Sequence, residues 1–142
     1  MKALFDTSVL IAAFVTEHPK HAACLPYLQK VRTKEIDGYI CAHCIAELYA
    51  VLTGRTSPRI LPADAQKIMN TDLPRFQVMA LDGSDYLTVI ERMVILGLSG
   101  GAIYDALHAY AAHKIEADTI LTLNPRDFNR LGLDVAVKVV VP

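Results

Sequence analysis

Five short runs of strand length, Lys2–Phe5, Gly38–Ala42, Gln77–Leu81, Thr119–Leu123 and Val137–Val141, alternate with longer stretches of helical periodicity. That alternation constrains the fold more than any other feature, because strands joined through crossover helices run parallel. Between the first two runs the pattern predicts helices over Ser8–Phe14 and His21–Lys34, the second bent or started by Pro26. A helix over His43–Leu52 follows, then a loop holding Gly54 and Pro58, then a helix opened by Pro62 at its first position. Asp82-Gly83-Ser84 is turn-and-cap chemistry, and the helix it opens places Leu87, Ile90, Val94 and Leu98 on one face. Gly97, Gly100 and Gly101 interrupt that helix, and helices over Ile103–Ile115 and Pro125–Leu131 complete the set. The expectation is an α/β fold in three layers, α/β/α, with a central parallel sheet of about five strands and one domain over residues 1–142. Right-handed crossovers then leave the ligand crevice at the carboxyl ends of the strands.

Composition narrows the class. With 53% hydrophobic residues and a net charge of -1, the chain is too apolar and too weakly charged for disorder. A pI near 6.5 excludes a generally basic coat, so contact with nucleic acid would come through a local patch or a bound cation. Three cysteines cannot close a disulfide framework and fit a reducing cytoplasm. Asp6 breaks the apolar N-terminal sequence early, and Val9–Val15 is too short to span a bilayer, so no membrane partner is expected. The mean hydropathy of +0.31 is high for a small soluble domain and predicts apolar surface that meets a partner.

Polar groups fall where the crevice is expected. Asp6 directly follows the first strand, Glu47 lies one turn into the helix after the second, and Asp105 opens the helix after the glycine break. Asn124 and Asp127 follow the fourth strand. Each has a structural reading: Asp6 with Ser8 as a helix cap, Asn124 with Asp127 as a capping pair, Glu47 and Asp105 as favourable charges near helix N-termini. Their joint placement points elsewhere. Asp6 is embedded in apolar sequence, and Glu47 sits among Ile45, Ala46 and Leu48 with no Lys or Arg within four residues. Carboxylates in such surroundings are costly unless paired or metal-bound, and a hard divalent cation held by oxygen ligands is the natural counter-charge.

The chain resembles the PIN-domain ribonucleases, and within them the VapC-like toxins of toxin–antitoxin pairs. The resemblance runs over essentially the whole length. It rests on Asp6-Thr7-Ser8-Val9-Leu10, Ile45-Ala46-Glu47-Leu48, Tyr104-Asp105-Ala106-Leu107-His108-Ala109 and Leu121-Thr122-Leu123-Asn124-Pro125-Arg126-Asp127-Phe128. Each motif is short; the four in order carry the signal. The resemblance implies a PIN-like fold and a metal-dependent endoribonuclease using Mg²⁺ or Mn²⁺, with Asp6, Glu47 and Asp105 as its catalytic and metal-binding acids. Asp127 is the favoured fourth acid, with Asn124 beside it as a polar neighbour and Ser8 as a secondary group. The resemblance also implies an RNA substrate, a homodimer and a cognate antitoxin. A PIN-domain nuclease of RNA maturation or decay, without antitoxin, would carry the same four motifs.

Three further features compete for a role. Cys41 and Cys44 form a C-x-x-C at a strand-to-helix junction, where a thiol–disulfide redox pair would sit; the plainer reading is two small residues packing a helix start. His43 shares a helix face with Glu47, and His108 with Asp105, so each could support the acids from behind; the plainer reading is a solvated or hydrogen-bonded histidine. Arg55 and Arg59 in the loop after the Glu47 helix, with Arg126 and Arg130 in the last motif, are candidate contacts to RNA phosphates. The aromatic residues are scattered, and no stacking surface is legible.

Overall fold

The computed structural model describes residues 1–142 and contains a five-stranded, wholly parallel sheet. The strands are β1 (Lys2–Phe5), β2 (Asp37–Cys41), β3 (Gln77–Met79), β4 (Thr119–Leu121) and β5 (Val139–Val140), in spatial order β3-β2-β1-β4-β5. The chain winds outward from β1 through β2 to β3, then returns across the sheet to lay β4 on the other side of β1. The gap between the carboxyl ends of β1 and β4 is therefore the topological switch point, where open α/β sheets leave a crevice.

Eight helices cover the sheet: α1 (Thr7–Phe14), α2 (His21–Arg32), α3 (Ala42–Gly54), α4 (Pro62–Asp72), α5 (Gly83–Leu96), α6 (Ala102–Lys114), α7 (Pro125–Asn129) and α8 (Leu133–Ala136). Period-2 alternation sorts each strand's side chains between two cores. Ala3, Phe5, Ile40 and Leu121 pack against α1 to α4, with Phe5 edge-on to Phe76 at 5.1 Å between ring centres. Leu4, Cys41 and Ile120 face the opposite way, against α5 to α7. The result is the three-layer α/β/α arrangement. No helix is long and apolar enough to cross a membrane.

Local signals account for most boundaries. Asp82 accepts the Asp85 backbone N–H at 2.9 Å while the Asp85 carboxylate accepts the Asp82 N–H at 2.9 Å, a reciprocal cap that opens α5. Gly97, at φ +66°, closes the same helix in the left-handed conformation. Pro26 lies inside α2 rather than at its start. The last expected strand is shorter, because residues 133–136 form α8 and only Val139–Val140 pair with β4.

Leu87, Ile90 and Val94 lie on the solvent side of α5, Val94 at 74% exposure, and Leu98 past its end packs against the core, whereas Val89 and Met93 point inward onto α6. Apolar residues occupy both sides of this helix, and the side that packs on α6 is the one carrying Asp85, whose carboxylate is held by Lys114 of α6 at 3.0 Å.

Candidate active site

Asp6 ends β1 and is 4% exposed, with its backbone N–H bonded to Leu121 O of β4 at 2.9 Å. Its backbone occupies the cap position of α1, but its side chain makes no cap bond. Instead Oδ2 accepts two hydroxyl protons, from Ser8 Oγ at 2.6 Å and from Thr122 Oγ1 at 2.8 Å. Each hydroxyl in turn accepts a backbone N–H, Ser8 from Leu123 and Thr122 from Asn124, both at 3.0 Å. A hydroxyl has one proton, so these backbone donors aim both protons at Asp6 and lock its rotamer. Thr122 carries no signal of its own in sequence beyond standing at the end of a buried strand.

Glu47 and Asp105 arrive from α3 and α6. His108, 1% exposed, donates from Nε2 to Glu47 Oε1 at 2.8 Å and stands 3.8 Å from Asp6 Oδ1. His43 Nε2 lies 3.4 Å from the same Glu47 oxygen. Burial alone would raise the Glu47 pKa, but the His108 hydrogen bond and the nearby imidazoles hold it below its ordinary value. Burial likewise opposes a charged His108, and the Glu47 hydrogen bond with the surrounding carboxylates raises its pKa nonetheless. Asp105 has no such partner. Burial first, then the like charges of Asp6 and Asp127, push it up to about 6, against the smaller opposing effects of His108 and of Arg130, which stands 3.9 Å away.

Asp6, Ser8, Glu47, Asp105 and Asn124 line one open groove of about 500 Å³, together with His18, Lys20 and Arg55. Asp127 lies outside that lining, acting on Asp105 through its charge and standing 3.5 Å from Arg130. Of the candidate cations, Arg55 reaches the groove, whereas Arg59 and Arg126 are exposed away from its lining. Lys20 and His18 were not legible as site residues, because the turn between α1 and α2 carries no motif. Asn124 makes no side-chain cap bond to α7, so the capping-pair reading does not describe it.

The donor set suits a hard cation. Asp6 Oδ1 accepts no hydrogen bond, with His108 3.8 Å away, and Asp105 is compensated only in part, by the charges of His108 and Arg130. No group of three or more His, Cys, Asp or Glu side chains is placed to hold a metal ion by itself. Mg²⁺ commonly takes only one or two carboxylates, with water and substrate phosphate filling the rest, so the residues present fit such an ion.

Cys41 and Cys44 are free and buried, as is Cys24. Burial raises the Cys41 and Cys44 thiols above their ordinary value, and Thr7 Oγ1 donates to Cys44 Sγ at 3.3 Å. A redox pair needs an accessible, acidified thiol, and these are the opposite.

A PIN-domain family profile matches residues 3–133. Ribonuclease VapC40 of Mycobacterium tuberculosis is 32% identical over 133 residues, covering 92% of this chain and 94% of that protein. Ribonuclease VapC27 of the same species is 32% identical over 136 residues, covering 93% of each. Among solved structures, VapBC2 from Rickettsia felis bound to a DNA fragment from its promoter superposes with a TM-score of 0.70 at 19% identity, over 100% of this chain and 99% of that one. FitAB bound to a DNA fragment superposes with a TM-score of 0.64 at 22% identity, covering 99% of this chain and 94% of that one.

Proposed function

This chain belongs to the PIN-domain family, and on that premise we propose that it is a Mg²⁺- or Mn²⁺-dependent endoribonuclease and the toxin of a toxin–antitoxin pair. The observation that carries the reading is the convergence of Asp6, Glu47 and Asp105, from three separate elements, on one groove that also holds Lys20 and Arg55. The ribonuclease names of two relatives at 32% identity support RNA as the substrate.

Asp6 and Asp105 would hold the ion, with Glu47, Asp127 and Asn124 around it. When bound, the ion supplies charge neutralisation at the scissile phosphate and activation of the attacking water. Lys20 and Arg55 attract and orient the RNA backbone, which positions the substrate without reading its sequence. Ser8 and Thr122 keep Asp6 in one rotamer, and His108 keeps Glu47 ionised and aimed. Glu47 is thereby a proton acceptor for the water that attacks phosphorus.

The exposed Leu87, Ile90 and Val94 on α5 form the apolar stripe expected of a homodimer contact. A groove of about 500 Å³ between α3 and α4, lined by Ile45, Tyr49, Met69 and Leu73, suits an amphipathic helix of an antitoxin in the cytoplasm.

The test is cleavage of RNA by the purified chain in Mn²⁺. Asp6→Asn and Asp105→Asn should abolish cleavage, as should EDTA, and Mn²⁺ should raise the melting temperature of the wild type more than that of either variant. Undiminished cleavage in excess EDTA would refute the mechanism.

A further inference from the structure

Tyr104 immediately precedes Asp105, yet the residue is 49% exposed. It is not free to wander: the ring lies flat against the His43 imidazole, with centres 4.9 Å apart and planes within 2° of parallel. His43 stands 3.4 Å from Glu47, so the stack is anchored to the acid cluster. Beside it opens a cavity of about 370 Å³ lined by His43, Tyr104, Glu47 and Arg55 and by Ala46 and Ala50 of α3. The two alanines are one turn apart and bring only methyl groups to the lining. Glu47, Val51 and Arg55 line both this cavity and the acid groove, so the two are continuous. A half-exposed aromatic ring stacked on a second ring, small apolar lining and a guanidinium match the chemistry of a nucleotide: a π-face for the base and a cation for the phosphate.

We propose that this cavity seats an unpaired nucleobase adjoining the scissile phosphate, with Tyr104 as its stacking platform, His43 as the prop behind the ring and Arg55 on the neighbouring phosphate. This rests on the nuclease reading above and adds a substrate-positioning surface to it. His43 and Tyr104 are sixty-one positions apart in the chain, and only the packing of α3 against α6 brings them together.

The experiment uses the full chain and a short RNA that it cleaves, with steady-state kinetics for the wild type, Tyr104→Phe, Tyr104→Leu and Tyr104→Ala. The same RNA is also made with a single abasic nucleotide, stepped along both sides of the cleaved bond. Stacking on an aromatic ring corresponds to about a 5- to 150-fold change in affinity, so Tyr104→Ala and Tyr104→Leu should raise KM by that factor with kcat retained. Tyr104→Phe should match the wild type. At one position the abasic RNA should raise the wild-type KM by a similar factor and cost Tyr104→Ala nothing further. Equal KM in all four proteins overturns the assignment, as do abasic penalties of the same size in wild type and Tyr104→Ala. Should the Ala and Leu variants fail to fold, an abasic series without any KM penalty in the wild type overturns it equally. A wild type that cleaves no RNA refutes the nuclease reading itself, a distinguishable failure.

Discussion

Replacing Asp105 by Asn removes a carboxylate that the folded protein holds at a cost. Its pKa rises from 3.8 to about 6, through burial first and then through Asp6 and Asp127. A raised pKa means that the native state binds the proton more tightly than the unfolded chain. The associated stability is complete below the unfolded value of 3.8 and is lost as pH climbs through the folded value of about 6. About two units correspond to a ceiling of ~3 kcal/mol at 1.36 kcal/mol each. The side chain is 23% exposed and faces Arg130, so solvent screening reduces this to ~1–2 kcal/mol. Asn is nearly isosteric and stays neutral, so it escapes the loss. For a domain of this size each kcal/mol moves the melting temperature by roughly 3–4 °C. Melting curves in EDTA at about pH 4 and about pH 7.5 should therefore show the two proteins nearly level in acid. At neutral pH the Asn variant should melt higher by ~3–8 °C, even as its RNA cleavage should be lost. An Asn variant that melts lower at neutral pH, or a difference independent of pH, would refute the reasoning and leave Asp105 as an ordinary helix-terminus charge.

Thr122→Val leaves the Asn124 N–H without its acceptor and removes one of two donors to Asp6; a chemical denaturation midpoint should register ~1–3 kcal/mol of lost stability, with cleavage reduced. Cys41→Ser combined with Cys44→Ser should retain RNA cleavage while melting lower, because Cys44 is fully buried and its one hydrogen bond comes from Thr7. Loss of cleavage in a folded double variant would reopen a role for the thiols. Leu87→Asp with Val94→Asp places charges on an exposed apolar stripe, so light scattering should show a dimer become a monomer with its melting temperature little changed. A wild type that is already monomeric at micromolar concentration removes α5 as a self-association surface.

The features that local sequence determined are those whose cause is local. Alternating runs predicted the strand and helix order, because period-2 and period-3.6 patterns are set by the next few residues. Asp82 predicted the start of α5 because its cap is satisfied three residues on. Asp6, Glu47 and Asp105 were legible because each stands at a strand end or within a helix's first turns, which in a parallel sheet all open on one edge.

What joins these residues was not legible. The strand order that sets β4 beside β1 follows from how the crossovers pack, and no local pattern encodes it. Nor does spacing reveal that Thr122 hands its proton to Asp6 across 116 positions, or that His108 is spent on Glu47 across 61 rather than on Asp105 one turn away. The outward face of α5 was ambiguous because apolar residues line both its sides, and burial of Val89 and Met93 decided between them. The stacked rings of His43 and Tyr104 show the division most plainly. Sequence supplies each ring on its own helix, whereas whether two rings meet face to face depends on the separation and rotation of those helices, which only the packed core determines.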